Sequence, residues 1–219
     1  MKNILFAALD AYSKVGGIQQ FNKRIVSALL EDENLNEISV VIKDDNYSDI
    51  QQKSNKISFI TCDQSRVKLI VNTLKLAKSK DTLLLGHVNL LPLAFLSKII
   101  NPKIKVILFV HGIDVWGVNS RKIKKSDRFL IKFVDKIASV SAFTAQKMSE
   151  SFNVNIDNFT VFPNAVDPLK ENSSNFDSTK KLLLLTVARL SENEKGKHHD
   201  SVLKALPKII EKFPEVKYR

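Results

Sequence analysis

The chain alternates between two hydrophobic periodicities. Segments with helical spacing lie at 18–30, 65–78, 91–100, 126–134 and 143–151, and between them are short apolar runs at 4–9, 38–42, 57–60, 82–85, 105–110, 136–140 and 160–162. Such alternation is typical of a mostly parallel sheet covered by helices on both faces. We therefore predict an α/β protein whose residues 1–167 form a doubly wound, Rossmann-like domain.

A polar stretch separates this domain from a second strand-helix pattern. Residues 168–180 are rich in Ser, Asn and Asp without apolar periodicity, which predicts a linker. A strand at 181–187 and a helix at 200–213 follow. Because about 40 residues are too few for a doubly wound core, we expect 181–219 to be the start of a second, incomplete α/β domain and the chain to be truncated within it.

Composition narrows the class of partner. The formal net charge of +11 calls for an anionic partner, and the densest basic cluster lies at 121–132. Aromatic residues are not interleaved with the lysines and no nucleic-acid-binding motif occurs, so we expect no nucleic acid as a partner. The cluster is then either a solvated surface or a site of weak attraction to anionic lipid.

Other features indicate a soluble, cytoplasmic protein. No apolar run approaches the roughly 18 residues that span a bilayer, and Asp10 ends the first run where a signal peptide would continue. The lone Cys62 fits a reducing compartment and a buried apolar position.

The turns that follow the predicted strands carry the candidate chemistry. Gly16 and Gly17 follow the first strand and open the first helix, where paired glycines allow close approach of an anionic ligand. The dinucleotide-binding fingerprint is incomplete here, because its third glycine is missing and no acidic residue stands clearly at the end of the second strand. A tight turn without a ligand is the alternative.

Polar residues also follow later strands. His87, His111 and Gly112 come after the fourth and fifth, Ser141 after the sixth as a helix cap, and Asn164 after the seventh. No cysteine or closely spaced second histidine completes a set of metal ligands, so we predict no metal site. Two roles remain open for these histidines: hydrogen bonding to a polar substrate, or a structural role at a partly buried strand end.

A third group of candidates follows the strand at 181–187. Arg189 lies at its end, and Lys195 and Lys197 come within the next eight residues. These side chains keep their charge at neutral pH and suit a diphosphate. The alternative is a solvated basic loop.

Taken in order, these motifs resemble those of glycosyltransferases of the family 4 type (glycosyl transferases group 1), which have the two-domain GT-B fold. The set comprises Gly16-Gly17, His111-Gly112, Val140-Ser141, Pro163-Asn164-Ala-Val-Asp167 and Thr186-Val-Ala-Arg189-Leu. The resemblance spans the whole chain, but the chain spans only the family's N-terminal domain and the first strand and helix of its C-terminal domain.

The resemblance implies a retaining, metal-independent transfer of a sugar, of the hexosyltransferase type, from a nucleotide-diphosphate donor to an acceptor hydroxyl. No cofactor is expected. A glycan or lipid-linked acceptor would lie on the N-terminal domain, in surface polysaccharide or glycolipid assembly at the inner face of the membrane. Gly17 would approach the donor phosphates and the acceptor, His111 would contact the transferred sugar, and Arg189 with a lysine would neutralise the leaving diphosphate.

The sequence departs from the family pattern at that lysine. The family has Lys-Gly-x-Asp; Lys195 keeps the Lys-Gly pair, whereas Lys197 keeps the distance to Asp200. We favour Lys197, with Lys195 as the alternative. The family's acidic pair for donor sugar and ribose lies beyond Arg219, so this fragment is expected to be inactive by itself. A GT-B sugar-nucleotide epimerase and a non-catalytic binding module remain alternative functions.

Overall fold

The computed structural model describes residues 2–50, 54–117, 122–166, 182–188 and 198–219. The chain divides into two compact units, Met1–Asp167 and Pro168–Arg219. Each unit is described by itself below.

The first unit is built on one seven-stranded parallel sheet. Its strands lie in the order β3-β2-β1-β4-β5-β6-β7, and every neighbouring pair is parallel. They are β1 (Lys2–Ala8), β2 (Leu35–Ile42), β3 (Ile57–Thr61), β4 (Thr82–Leu85), β5 (Lys105–Val110), β6 (Lys136–Ser139) and β7 (Phe159–Val161). The predicted doubly wound, Rossmann-like class is confirmed.

Within the described residues of this unit, five α-helices connect the strands. They are α1 (Gly17–Glu31), α2 (Arg66–Ala77), α3 (Leu91–Ile100), the short α4 (Lys125–Leu130) and α5 (Ala142–Phe152). The apolar pattern at 126–134 predicted one continuous helix. It is instead α4 followed by a 3-10 turn over Ile131–Phe133, which ends at Val134 with extended backbone as the chain enters β6.

Burial on both faces of the sheet explains why the strands are continuous apolar runs. Along β1, Leu5 and Ala7 join a core that also holds Leu69 of α2. The alternate residues, including Phe6, join a second core that holds Phe21 of α1. Because successive side chains of a strand point to opposite faces, each central strand needs apolar residues at every position.

The strand order places a topological switch point between β1 and β4. The chain runs outward from β1 to β2 and β3, then crosses back to β4 on the other side of β1. The loops after these two strands therefore diverge, and ligands of doubly wound sheets bind in the crevice that this leaves at the carboxyl edge.

The second unit is small in its described part. Strand β8 (Leu183–Leu184) pairs in parallel with β9 (Lys217–Tyr218), and α6 (His199–Lys212) connects them. The strand predicted at 181–187 is thus shorter than its apolar run within the described residues. The Tyr218 hydroxyl donates to Thr186 Oγ1 at 3.0 Å and ties the two strands together.

Among the described residues, the helices are all too short or too polar to span a membrane. Cys62 is buried and unpaired, as the sequence predicted.

Candidate functional site

A buried carboxylate fixes the loop that follows β1. Asp45 lies just beyond β2 and is 1% exposed. Its two oxygens accept hydrogen bonds from the backbone N–H groups of Ala11 (3.0 and 3.2 Å), Tyr12 (2.7 Å) and Ser13 (3.2 Å). A carboxylate held by several N–H groups makes strong, charge-assisted hydrogen bonds. Burial, and then the charge of Asp45, raise the pKa of the Tyr12 phenol to about 12.

Helix α1 anchors the same loop from its other end. The Asn22 amide, 1% exposed, donates to the Asp10 carbonyl at 2.9 Å. The Gln19 amide donates to the Asp10 carboxylate at 2.8 Å. With Asp45 on one side and these amides on the other, the loop is set before any ligand arrives.

Gly16 and Gly17 lie where this loop becomes α1. Gly16 is the N-cap residue, with extended backbone at φ −179°. A Cβ atom at Gly16 would clash with the end of the flexible Gln19 side chain, which would have to move, whereas a Cβ at Gly17 would meet no atom within 4 Å. The fold itself therefore does not require glycine at Gly17, and the space beside its Cα is open.

His111 lies at the end of β5 with its ring packed in the fold. The Phe21 ring contacts it edge to face at a centroid distance of 4.9 Å, and His111 Nε2 lies 3.0 Å from the Gly86 carbonyl oxygen. Because that partner can only accept, Nε2 carries the proton and Nδ1 keeps a lone pair. Burial lowers the pKa of the ring, although the Gly86 bond and the Asp114 charge oppose this. The ring is therefore neutral at pH 7, and Nδ1 is suited to accept a hydrogen bond from a hydroxyl group.

This environment makes stability depend on His111 at mildly acidic pH. Because the folded-state pKa lies below the ordinary value of 6.5, the unfolded chain binds more protons as the pH falls below 6.5. We expect the free energy of unfolding to be fully retained above that pH and to decrease between it and the folded-state pKa. Urea unfolding of His111→Gln should lack this component, while the exposed-site control His198→Gln should keep it. Equal pH profiles for both variants would contradict the assignment.

Gly112 and Ser141 both lie near the hydroxyl group of Thr144, and Ser141 Oγ donates to Thr144 Oγ1 at 3.1 Å. Gly112 has φ +134°, and a Cβ there would lie 3.4 Å from Trp116 and 4.0 Å from Thr144 Oγ1. Trp116 Nε1 donates to Thr144 Oγ1 at 3.3 Å. Ser141 Oγ accepts the Thr144 N–H at 3.1 Å and so caps α5. The predicted cap is confirmed, and Gly112 is required by its backbone conformation.

The two glycine positions give opposite expectations. Gly112→Ala should lower the free energy of unfolding by about 1–3 kcal/mol, because alanine rarely adopts that conformation. Gly17→Ala should leave stability unchanged or raise it by up to about 1 kcal/mol, because it lies in a helix with open space around it. Chemical denaturation measures both. If Gly17→Ala nevertheless lowers kcat/KM for sugar transfer, a ligand approaches this part of the backbone. Unchanged kinetics would support the alternative, a tight turn that binds no ligand.

Two cavities open near the start of α1. The first, the α1 groove, has a volume of about 340 Å³ and is lined by residues that include Gly17, Phe21, Phe162 and Asn164. Gly17 and Asn164, which lie far apart in sequence, are thus brought together. Arg24 closes one side of this groove, and its Nη1 donates to the Ala165 carbonyl at 2.6 Å.

The second cavity, the switch-point cleft, is larger and more polar. It has a volume of about 920 Å³ and is lined by residues that follow β1, β2, β4 and β5, including Leu9, Lys43, His87 and Asp114. His87 Nδ1 accepts the Asn89 N–H at 3.0 Å, so this histidine caps the turn that precedes α3. Asp114 Oδ1 accepts the His111 N–H at 3.3 Å, which connects the cleft to His111.

The described residues thus bring together part of the predicted site. His87 lies beside Gly86, whose carbonyl orients His111, while Gly112 and Ser141 converge on Thr144. Arg189, Lys195 and Lys197 lie outside the described residues. No group of three or more His, Cys, Asp or Glu side chains in the described part of the chain is arranged to hold a metal ion.

Sequence reasoning missed two carboxylates. Asp45 and Asp114 each follow a buried strand, and an acidic residue at that place is the signal that could have found them. The prediction that no acidic residue stands clearly at the end of the second strand was wrong, because β2 ends at Ile42 and Asp44 and Asp45 follow within three residues. Asp114 stands three residues beyond His111 and bonds its backbone N–H.

Comparisons with known proteins agree with this geometry. Residues 64–169 match the family model described as Glycosyltransferase Family 4, a range that includes His87, His111, Gly112, Ser141 and Asn164. No curated protein sequence matches the chain significantly.

Solved structures share the fold at low sequence identity. Anabaena Alr3699/HepE, in complex with UDP and glucose, matches with a TM-score of 0.66 and 14% identity over 100% of this chain and 60% of its own. OtsA in its apo form matches with a TM-score of 0.57 and 10% identity, over 99% of this chain and 64% of its own. A Listeria monocytogenes protein assigned as a UDP-N-acetylglucosamine 2-epimerase gives a TM-score of 0.51 and 15% identity, over 100% and 62%.

This chain therefore spans about 60% of the length of the HepE chain. These likenesses establish the Rossmann-like fold of the GT-B class. Together with the match of residues 64–169 to the Glycosyltransferase Family 4 model, they confirm the resemblance that the ordered motifs predicted.

Proposed function

We propose that the protein is a retaining glycosyltransferase that uses a nucleotide-diphosphate sugar as donor. The bond between the anomeric carbon and the diphosphate oxygen breaks, and a bond from that carbon to the acceptor oxygen forms on the same face of the sugar. The acceptor hydroxyl proton leaves with the diphosphate. The family match over 64–169 carries this proposal, and the polar groups at the carboxyl edge of the sheet support it.

In this proposal His111 positions the transferred sugar as a neutral hydrogen-bond acceptor. Its Nε2 proton is directed to the Gly86 carbonyl, so Nδ1 can receive a sugar hydroxyl. Gly17, at the open N-terminus of α1, allows the donor phosphates to approach backbone N–H groups that lack partners within the helix.

We assign the leaving diphosphate to Arg189 and Lys197, with Lys195 as the alternative lysine. Cations preorganised where negative charge develops stabilise the transition state. Because these side chains supply that positive charge, we expect transfer to proceed without a metal ion or another cofactor. The substrate class is then a hexosyl nucleotide, with a glycan or lipid-linked acceptor in surface polysaccharide or glycolipid assembly.

Assays of the protein from the complete reading frame can separate this function from the two alternatives. The enzyme would be incubated with UDP-glucose, UDP-N-acetylglucosamine or GDP-mannose, with and without a glycan acceptor extract. Acceptor-dependent release of the nucleoside diphosphate supports the transferase. Release or epimerisation without an acceptor supports the sugar-nucleotide epimerase, and donor binding without turnover supports the binding module.

We further propose weak peripheral contact with an anionic membrane. Phe129 of α4 is 52% exposed, and its ring packs on Phe133 at 5.4 Å. The exposed cations Lys125, Arg128 and Lys132 lie on the same short segment. Near an anionic surface each such residue contributes about 1 kcal/mol. This contact would place a cytoplasmic enzyme at the inner face of the membrane.

Vesicle sedimentation tests the membrane contact. Phe129→Asp should weaken binding to phosphatidylserine vesicles several-fold, whereas Val67→Asp, which makes the same change at a 69% exposed residue of α2, should not. An equal loss in both variants would show that net charge alone drives the association.

A further inference from the structure

The lining of the switch-point cleft carries an excess of positive charge. Lys43 follows β2, Arg66 begins α2, and Lys122 and Lys124 precede α4. These four cations come from three separate segments and surround a cavity of about 920 Å³, a size typical of small-molecule sites.

The two carboxylates of the lining are committed to their own chain. Asp127 is 7% exposed, and its Oδ2 accepts the Lys124 N–H at 2.9 Å. Asp114 Oδ1 accepts the His111 N–H. Across residues 2–50, 54–117 and 122–166, Lys43 pairs with Asp44 at 2.9 Å, whereas Arg66, Lys122 and Lys124 form no ion pair. Three cations of the cleft are thus available to an anion.

Asp114 also offers an acceptor atom to a ligand. Its Oδ2 is buried and has no hydrogen-bond partner among the described residues. A buried acceptor without a partner is costly, and a small rotation of the Asp114 side chain that brings Oδ2 to a ligand hydroxyl in the cleft would remove that cost. Apolar side chains such as Ile70 and Leu93 complete the walls.

We propose that the switch-point cleft binds the acceptor substrate, and that this acceptor is a glycosyl phosphate. Its phosphate lies among Arg66, Lys122 and Lys124, and a sugar hydroxyl donates to Asp114 Oδ2. This inference rests on the proposed function, because the ligand is an acceptor only if the protein transfers a sugar. The phosphate can belong to a soluble sugar phosphate or to a lipid-linked one.

Calorimetric titration of the 219-residue chain, without donor, tests the cleft. The probes are glucose 1-phosphate, glucose and decyl glucosyl phosphate. We expect glucose 1-phosphate to bind at least about tenfold more tightly than glucose, because charge-assisted hydrogen bonds add that much. A tenfold gain from the decyl chain would indicate a lipid-linked source, and equal affinities a soluble one.

Paired variants separate the cleft from general charge. Lys122→Gln/Lys124→Gln should weaken glucose 1-phosphate binding at least about tenfold and leave glucose binding unchanged, because the cap of α4 uses backbone atoms at Lys124. Lys75→Gln/Lys78→Gln, at exposed lysines at the end of α2, removes the same charge and should have little effect. Asp114→Asn should weaken the binding of both glucose 1-phosphate and glucose.

Two results would overturn the proposal: equal losses in both lysine pairs, or no preference for the phosphorylated probe. If glucose 1-phosphate binding is lost in the cleft variants but the protein from the complete reading frame transfers no sugar, the proposed function is refuted and the cleft remains an anion site. If the protein transfers sugar but binds none of these probes, only the assignment of the acceptor to the cleft is refuted.

Discussion

Asp45→Ala is expected to lower the free energy of unfolding by about 3 kcal/mol or more. The substitution leaves three buried or half-buried N–H groups, of Ala11, Tyr12 and Ser13, without an acceptor. Each unpaired buried donor costs about 1–3 kcal/mol. Urea unfolding followed by circular dichroism measures the loss.

Two further variants isolate the cause. Asp45→Asn keeps one acceptor oxygen and should lose less than Asp45→Ala. Asp63→Asn removes a carboxylate whose side chain is 71% exposed in its ion pair with Lys68, and should change stability by less than about 1 kcal/mol. A loss in Asp63→Asn as large as that in Asp45→Ala would show that general charge, and not this loop, is responsible.

The Asp45 variants should also impair transfer beyond their effect on folding. The loop that Asp45 holds leads directly into Gly16 and Gly17, and the proposed donor phosphates approach there. At a temperature where Asp45→Asn is fully folded, we expect KM for the donor to rise. An unchanged KM would show that this loop does not contribute to donor binding.

Arg189→Ala should lower kcat by about a hundredfold to a thousandfold in the protein from the complete reading frame. Loss of one preorganised charge donor typically removes about 3–4 kcal/mol of transition-state stabilisation. The diphosphate gains charge as the glycosidic bond breaks, so the effect should appear in kcat and exceed any loss of stability. Steady-state kinetics and thermal unfolding of the same preparation give both quantities.

The two lysines provide the matched comparison for Arg189. Lys197→Ala should behave like Arg189→Ala, and Lys195→Ala should not, if distance to the following helix directs the side chain. The reverse result would assign the role to Lys195. Near-normal activity in all three variants would contradict the assignment of these side chains to the diphosphate and would support the alternative, a solvated basic loop.

The sheet could be predicted from the sequence because its physics is local. Strands such as β1 and β5 are buried on both faces, so they appear as continuous apolar runs separated by amphipathic helices. The Ser141 cap is also local, since its Oγ accepts a backbone N–H three residues later. These features need no knowledge of distant contacts.

The missed features depend on contacts between distant segments. Asp44 and Asp45 are adjacent and look alike in sequence, yet only Asp45 is buried against a loop more than 30 residues earlier. The tautomer of His111 is likewise set by the Gly86 carbonyl, 25 residues away. The positive charge around the switch-point cleft comes from three separate segments, so no local sequence motif predicts it.

The stereochemistry of sugar transfer tests the central claim most directly. The protein from the complete reading frame would be given an α-linked nucleotide sugar and an acceptor, and the product would be examined by proton NMR at the anomeric position. We predict an α-linked product and one released nucleoside diphosphate for each sugar transferred. A β-linked product, or diphosphate release without any glycosylated acceptor, would contradict the account.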